Sequence, residues 1–180
     1  MIINGDLILK ESSIESLGNL KEVKGELKLG SIVYRLKDLG KIEKLGAFNV
    51  IQVKNELIEN LNYLKIVNSD LNLENFVKLK SLKNLKTVNG SLNLSNCVNL
   101  ESLYSLEYVE KFINLSNCVK LTSLGKLKYI NRNLLLENCK NLKSLGDINE
   151  CDGNILLTSS GITKEYIEKE KPWLKDKCLW

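Results

Sequence analysis

Three cysteines recur in similar heptapeptides, and their regular spacing is the first feature of the chain that could support chemistry. SLNLSNC ends at Cys97, FINLSNC ends at Cys118 and NLLLENC ends at Cys139, so the interval is 21 residues each time. Thiols in such a register could bind a soft metal ion. The equivalent positions one repeat earlier and one repeat later hold Phe76 and Ser160. A position that accepts phenylalanine is typical of packing, so we favour a buried cysteine column over a metal or redox site.

Other groups that enzymes use are missing from the sequence or poorly spaced. The chain has no histidine, no GxxxxGK[ST] loop and no GxGxxG motif. Asp70 and Glu74 flank one predicted strand, but an extended chain separates them by about 13 Å, more than the roughly 5 to 9.5 Å between the carboxyl groups of glycosidases. Glu26 and Asp70 are predicted to lie two repeats apart, with Val50 between them. We therefore predict no enzymatic activity, no bound metal and no cofactor.

An apolar-x-apolar unit recurs through the chain and predicts one strand in each repeat. The units are Leu7/Leu9, Leu27/Leu29, Ile51/Val53, Leu71/Leu73, Leu92/Leu94, Ile113/Leu115, Leu134/Leu136 and Ile155/Leu157. They follow one another at steps of 20, 24, 20, 21, 21, 21 and 21 residues. Apolar residues at intervals of three come next, which suits tight turns. A coil this short cannot bury its own apolar side chains, so the coils are predicted to stack into a solenoid.

Two polar columns are predicted to serve the turns of this solenoid. A serine precedes a leucine of the apolar ladder at Ser16, Ser81, Ser102, Ser123 and Ser144. An asparagine follows the strand at Asn75, Asn96, Asn117 and Asn138. A serine hydroxyl can cap a turn, and asparagine tolerates the left-handed backbone conformation. Both columns therefore predict structure rather than catalysis.

The repeat resembles the leucine-rich repeat. The stretch from Leu92 to Val109, LNLSNCVNLESLYSLEYV, follows the pattern LxLxxCxxLxSLxxLxxV, and VKGEL and VNGSL are similar to the repeats of receptor L-domains. The resemblance covers about residues 5 to 160. It implies a mainly β fold, a right-handed parallel-strand solenoid with eight coils of about 20 to 24 residues. It implies no particular ligand, because exposed positions specify the partner of such scaffolds.

The chain is predicted to form a single domain, 1–180, with repeats over 1–160 and a C-terminal cap over 161–180. Thr163 is predicted to be the N-cap of a short helix over 164–171 that ends at Pro172. The residues predicted to cover the last coil are Ile162, Ile167 and Trp173. The sequence shows no signal peptide and no membrane span, and an odd number of cysteines suggests reduced thiols. We therefore expect a cytoplasmic protein that does not enter membranes.

Apolar residues at three positions of the outer sheet face predict an interface. Phe112, Leu135 and Leu156 should face water, and a contiguous exposed apolar patch usually marks an interaction site. The alternative is that the C-terminal tail folds over them. The middle of the same face is predicted to carry a row of polar side chains that includes Asn93 and Asn114.

Two further surfaces are predicted to contact a partner. Tyr108 and Tyr129 lie one coil apart and form a possible aromatic contact. The second coil has a stretched spacing, so an inserted loop there is predicted to present Tyr34 and Arg35, residue types that anchor interfaces. Lysines near the turns are interrupted by acids such as Glu101 and Glu107, which argues against nucleic-acid binding.

The sequence as a whole predicts a non-catalytic module that binds another protein through the exposed sheet face. A sharper version is an inhibitor that blocks or sequesters a host enzyme. The alternatives are a self-assembling structural repeat protein and a carbohydrate-binding module that uses the asparagine row. We expect a monomer or weak self-association.

Overall fold

Short parallel strands make up most of the regular structure. A computed structural model describes residues 1–10, 13–30, 35–50, 57–61 and 63–180. The strands are β1 Ile2–Ile3, β2 Leu7–Leu9, β3 Glu22–Leu29, β4 Lys44–Val50, β5 Ile66–Val67, β6 Leu71–Asn72, β7 Thr87–Val88, β8 Leu92–Asn93, β9 Tyr108–Val109, β10 Ile113–Asn114, β11 Tyr129–Ile130, β12 Leu134–Leu135, β13 Glu150–Cys151, β14 Ile155–Leu156 and β15 Cys178–Leu179. A helix, α1, spans Lys164–Glu170, and a 3₁₀ helix spans Pro172–Lys177. No helix among these residues is long and apolar enough to cross a membrane.

The strands form two columns of parallel neighbours, and the chain winds through about eight turns. β5, β7, β9, β11 and β13 pair in the first column, and β6, β8, β10, β12 and β14 pair in the second, while β3 and β4 are long enough to contribute to both. The predicted apolar-x-apolar units other than Ile51/Val53 lie in the second column or in β2 and β3. The first column was not predicted, because its strands coincide with the last position of the three-residue ladder. The predicted mainly β solenoid of parallel strands is confirmed.

The core is one continuous stack of apolar side chains inside the coils. In a typical coil the two strand leucines, the cysteine and the ladder residues are all fully buried, as for Leu92, Leu94, Cys97, Leu100, Leu103, Leu106 and Val109. The turns between these residues are closed by backbone hydrogen bonds in which an N–H donates to the carbonyl three residues earlier. Leu100 N, for example, donates to Cys97 O at 2.9 Å. Each fully buried leucine contributes about 1.5 to 3 kcal/mol relative to an exposed one, so the repeated ladder is the main source of stability.

The predicted register of the third coil is wrong. β4 places Phe48 opposite Leu27 on one side and Leu71 on the other, whereas Ile51 and Val53, the predicted strand pair, lie outside the described residues. The Phe48 ring is buried and meets the Phe76 ring edge to face at 6.4 Å between centroids. An aromatic ring buries more apolar area than the β-branched alternatives, which explains this register.

The new register also moves the irregular coil. The second coil runs 21 residues from Leu27 to Phe48, and the third coil runs 23 residues from Phe48 to Leu71. The extra residues therefore belong to the third coil. The prediction of an inserted loop in the second coil is wrong.

The two polar columns perform the predicted turn roles. Asn75, Asn96, Asn117 and Asn138 all have φ between 60° and 65°, in the left-handed region. Their side chains also bond from coil to coil, with Asn117 Nδ2 donating to Asn96 Oδ1 at 2.9 Å. In the serine column, Ser123 Oγ accepts from Gly125 N at 3.0 Å, and Gly125 again has a positive φ. Polar side chains thus stabilise the same two turns in successive coils.

The C-terminal segment caps the last coil largely as predicted. Thr163 Oγ1 accepts from Tyr166 N at 3.1 Å at the start of α1, and Ile162 and Ile167 are buried. Trp173 is 55% exposed, so its predicted covering role is wrong, and Leu174 is buried in its place. The 3₁₀ conformation after Pro172 explains the exchange, because it turns the neighbouring leucine rather than the tryptophan towards the core.

Candidate partner-binding face

The second strand column presents one open face of side chains, and its polarity changes along the solenoid axis. The central outward row reads Ile8, Lys28, Asn49, Asn72, Asn93, Asn114, Leu135, Leu156 and Leu179. The preceding row reads Asp6, Glu26, Ala47, Asp70, Ser91, Phe112, Asn133, Asn154 and Lys177. We call this surface the sheet face. Charged side chains dominate its N-terminal part, amides its middle and apolar side chains its C-terminal part.

Four side chains form the apolar patch at the C-terminal end of the sheet face: Phe112, Leu135, Leu156 and Leu179. Phe112 is 39% exposed and Leu179 is 48% exposed, while the two leucines between them are half-buried. The C-terminal tail reaches this region as β15, which pairs edge to edge with β14. Leu157 N donates to Leu179 O across this pair at 2.7 Å. The tail therefore extends the patch by one leucine and lies beside the sheet, not across its face.

The asparagine row displays amide donors in a fixed orientation. The side-chain oxygens of Asn72, Asn93 and Asn114 each accept from the backbone N–H two residues later, at 3.0 to 3.1 Å. Each Nδ2 group consequently points away from its own turn. Asn93 Nδ2 makes a long contact of 3.4 Å with Glu74 Oε2, and no described residue accepts from Asn72 or Asn114. Carbohydrate binding by this row stays a prediction.

A depression of about 400 Å³ lies next to the apolar patch, at the centre of the sheet face. Glu26, Asp70 and Phe112 form its walls, and the small side chains of Ala47 and Ser91 alternate with them along the axis. The residue between the two carboxylates is thus alanine, not the valine at position 50 that the sequence predicted. Because neighbouring strands are about 4.8 Å apart, consecutive walls stand about 10 Å apart at their Cα atoms.

The two wall carboxylates differ in their partners. Glu26 is bound by Lys28 at 2.9 Å, and this bond is the main cause that raises the pKa of the lysine. Asp70 is 60% exposed; its Oδ1 accepts from Ser91 N at 2.7 Å and lies 3.9 Å from Lys111 Nζ. Asp70 Oδ2 has no partner among the described residues. One wall is therefore largely neutralised, and the other offers a free carboxylate oxygen.

The remaining predicted contact residues lie apart from the apolar patch. Tyr108 and Tyr129 are neighbours in the first strand column, where Tyr108 is half-buried and Tyr129 is exposed. Arg35 is exposed in a coil of regular length, and Tyr34 lies outside the described residues. The structure therefore brings Phe112, Leu135, Leu156 and the nearby asparagines together on one face. It places the tyrosine pair on another strand column.

The cysteine column is built for packing. The Sγ atoms of Cys97, Cys118 and Cys139 donate to the carbonyls of Leu73, Leu94 and Leu115 in the preceding coils, at 3.1 to 3.2 Å. Burial raises the pKa of Cys97 and Cys139 to about 12 and raises the pKa of Cys118 as well. All five cysteines are free. The described residues contain no group of three side chains suited to a metal ion.

Two features of the sheet face escaped the sequence reasoning: Leu179 and the small floor residue Ala47. A constant interval of 21 residues from Leu27 would have pointed to Phe48, and hence to Ala47 beside it. The chain matches no protein-family model, no curated protein and no solved structure. The sheet face, with its apolar patch and its depression, is therefore the feature from which function is inferred.

Proposed function

We propose that this protein is a non-catalytic binding module that docks another protein onto the sheet face. The observation that supports this function is the apolar patch, which lies on paired parallel strands and extends from Phe112 to Leu179 without being covered by the tail. Exposed apolar side chains in a contiguous group usually mark interaction sites. Binding then rests on shape complementarity between the partner and a preformed surface. A sharper form of the proposal is that this binding inhibits or sequesters the partner.

The proposal includes the leucine-rich-repeat character of the coils. It is supported by the left-handed asparagine and the buried cysteine that follow β8, β10 and β12, at the offset that the resemblance implies. Five free thiols support an intracellular setting, because disulfides are the usual state of paired cysteines in oxidising compartments. Such scaffolds present a partner-specific surface on a generic core.

Affinity capture from the native cell, followed by mass spectrometry, tests the proposed function. Phe112→Asp and Leu135→Asp place charges in the apolar patch, and each should abolish capture of the partner because an unpaired carboxylate would be desolvated in the interface. Tyr104→Asp is the matched control, since Tyr104 is 47% exposed in a turn of another surface. Circular dichroism and thermal unfolding confirm that each variant is folded. Unchanged capture by folded Leu135→Asp protein would exclude the patch as the docking site.

A second candidate function, assembly between copies of the chain, is favoured by the N-terminal coil. Ile2 and Ile8 are 54% and 50% exposed on β1 and β2, and within the described residues these strands pair only with β3. Open strand edges are templates for pairing with another chain. Light scattering across a hundredfold concentration range distinguishes the two functions. A concentration-independent monomer would count against assembly and leave partner docking in place.

A further inference from the structure

The sheet face carries a charge opposite to that of the molecule. Its described outward positions hold five carboxylates against three lysines: Asp6, Glu26, Asp70, Glu74 and Glu137 against Lys10, Lys28 and Lys177. The chain as a whole has a net charge of +4, so the remaining surface is strongly basic. A partner that approaches this face is attracted when it is cationic and repelled when it is anionic.

Within this acidic face, the half of the depression between Asp70 and Phe112 combines a free carboxylate with an aromatic ring. Both side chains point outward in the same row, two coils apart, and Ser91 leaves space between them. A planar guanidinium can stack on an aromatic ring and donate to a carboxylate at the same time. The chain already places one cation near this position, because Lys111 Nζ lies 3.9 Å from Asp70 Oδ1.

The neighbouring amides extend the site in a direction that suits a polypeptide. Asn72 and Asn114 present Nδ2 donors on the same face, and the described residues provide no acceptor for either. Backbone carbonyls of an extended segment are acceptors that could bond to such donors. The apolar patch continues from Phe112 and would receive the apolar side chains of that segment.

We propose that the depression between Asp70 and Phe112 is the pocket for an arginine side chain on an extended segment of the partner protein. This inference rests on the proposed function and specifies the chemistry of the partner. The guanidinium donates to Asp70 Oδ2 and stacks on the Phe112 ring, while the asparagine row bonds to the backbone on either side.

The sharpest variant is Asp70→Asn, because the solenoid already contains its structural control. Asn133 occupies the same row, and its Oδ1 accepts from Asn154 N at 2.9 Å, as Asp70 Oδ1 accepts from Ser91 N. Asp70→Asn therefore removes the charge and keeps the coil-to-coil bond. Lys111→Ala is the opposite variant, since it removes the competing ammonium group from the pocket.

The experiment is a ¹H–¹⁵N NMR titration of the full chain with N-acetyl-arginine amide, and with N-acetyl-citrulline amide as the neutral isostere. Arginine should shift the backbone amides of Ser91, Asn93 and Phe112 in a saturable way, and citrulline should bind about fivefold more weakly. Asp70→Asn should weaken arginine binding about fivefold, and Lys111→Ala should strengthen it about twofold. Equal binding of citrulline, unchanged binding by Asp70→Asn, or shifts confined to other surfaces would each overturn the proposal.

Capture of the partner by the Leu135→Asp and Asp70→Asn variants distinguishes this inference from the proposed function. If Leu135→Asp abolishes capture and Asp70→Asn does not weaken it, protein docking stands and the arginine pocket falls. If Leu135→Asp leaves capture intact, the docking function falls, and the NMR titration alone decides whether the pocket binds a guanidinium. Loss of capture in both variants, with reduced arginine binding in Asp70→Asn, supports both.

Discussion

At the scale of single residues, the cysteines show how burial decides reactivity. Cys97, Cys118 and Cys139 donate their thiol protons to carbonyls inside the core, where a thiolate would lose its hydration. With its pKa raised to about 12, Cys97 is ionised in about one molecule in ten thousand at pH 8. The three regularly spaced thiols are therefore unreactive in the folded protein.

The residue-scale prediction concerns alkylation of these thiols. We expect iodoacetamide at pH 8 to modify Cys178 first, because it is only half-buried and lies in the terminal strand β15. Cys97, Cys118 and Cys139 should react only after urea unfolds the chain, and raising the pH to 9 should change this little, since a raised pKa keeps the neutral form dominant. Mass spectrometry of peptides after timed alkylation measures the order. Modification of Cys118 in native protein as fast as Cys178 would contradict it.

At the scale of elements, the turn after each serine requires a residue in the left-handed conformation. The cost of a side chain at this position depends on how much space the neighbouring coil leaves for a Cβ atom. Gly18 and Gly146 both have positive φ, at 55° and 61°. A Cβ atom at Gly18 would meet nothing within 4 Å, whereas one at Gly146 would lie 2.3 Å from Gly125 O. The same turn position is thus open at the N-terminal end and closed by backbone near the C-terminal end.

These two glycines give a matched prediction. Gly18→Ala should lower the free energy of unfolding by about 1 kcal/mol, the cost of a left-handed alanine. Gly146→Ala should lower it by more than about 2 kcal/mol, because the coil must also move away from the new methyl group. Urea unfolding followed by circular dichroism measures both. Equal decreases in the free energy of unfolding would show that contact between coils contributes nothing to the need for glycine at position 146.

The C-terminal cap gives a second element-scale prediction, on adjacent residues. Leu174→Ala should cost about 2 to 5 kcal/mol, because it opens a cavity beneath the 3₁₀ helix. Trp173→Ala should cost less than about 1 kcal/mol, since the indole is 55% exposed and Lys171 Nζ lies 5.3 Å from the centre of its ring, a weak cation–π contact at an exposed site. Thermal unfolding of the two variants compares them. A larger loss for the tryptophan would contradict the observed packing of the cap.

The elements also show what the sequence could predict. The coils from Leu71 onward were predicted in register because the strand unit recurs at every step of 21 residues, and asparagine, cysteine and ladder agree with it in the three coils that begin at Leu92, Ile113 and Leu134. β4 was misplaced because its segment alternates apolar residues over several positions, and a shift in register reassigns every side chain to the core or to solvent. The outward alanine in that strand, and with it the depression, could not be predicted until the register was known.

At the scale of the whole molecule, each coil contacts its neighbours and few residues farther away. Stability is then close to a sum of coil energies and interfaces between adjacent coils. The C-terminal end is closed by α1 and by β15, whereas Met1, Ile2 and Ile8 remain exposed at the N-terminal end. The two ends should therefore differ in local stability even though their coils have similar geometry.

Hydrogen exchange tests this asymmetry. Backbone amides of Leu94 and Leu115, bonded between central coils at 2.8 and 2.9 Å, should exchange only with global unfolding. Amides of the first coil should exchange at least about tenfold faster, because opening it breaks one interface. NMR or mass spectrometry of native protein in D₂O measures the profile. Uniform protection along the chain would indicate a fully cooperative solenoid.

The constant interval between equivalent residues has a consequence for how such a chain can change length. Removal of residues 92–112 would join Ser91 to Ile113, and every strand, asparagine, cysteine and leucine of the remaining coils would keep its partner type. The near-identical segments SLNLSNC and FINLSNC are sites where recombination between repeats could produce such a deletion in one event. The scaffold would persist, but Phe112 would be lost and the amide row shortened. Genetic exchange in whole coils can thus replace the binding surface while leaving the core unchanged.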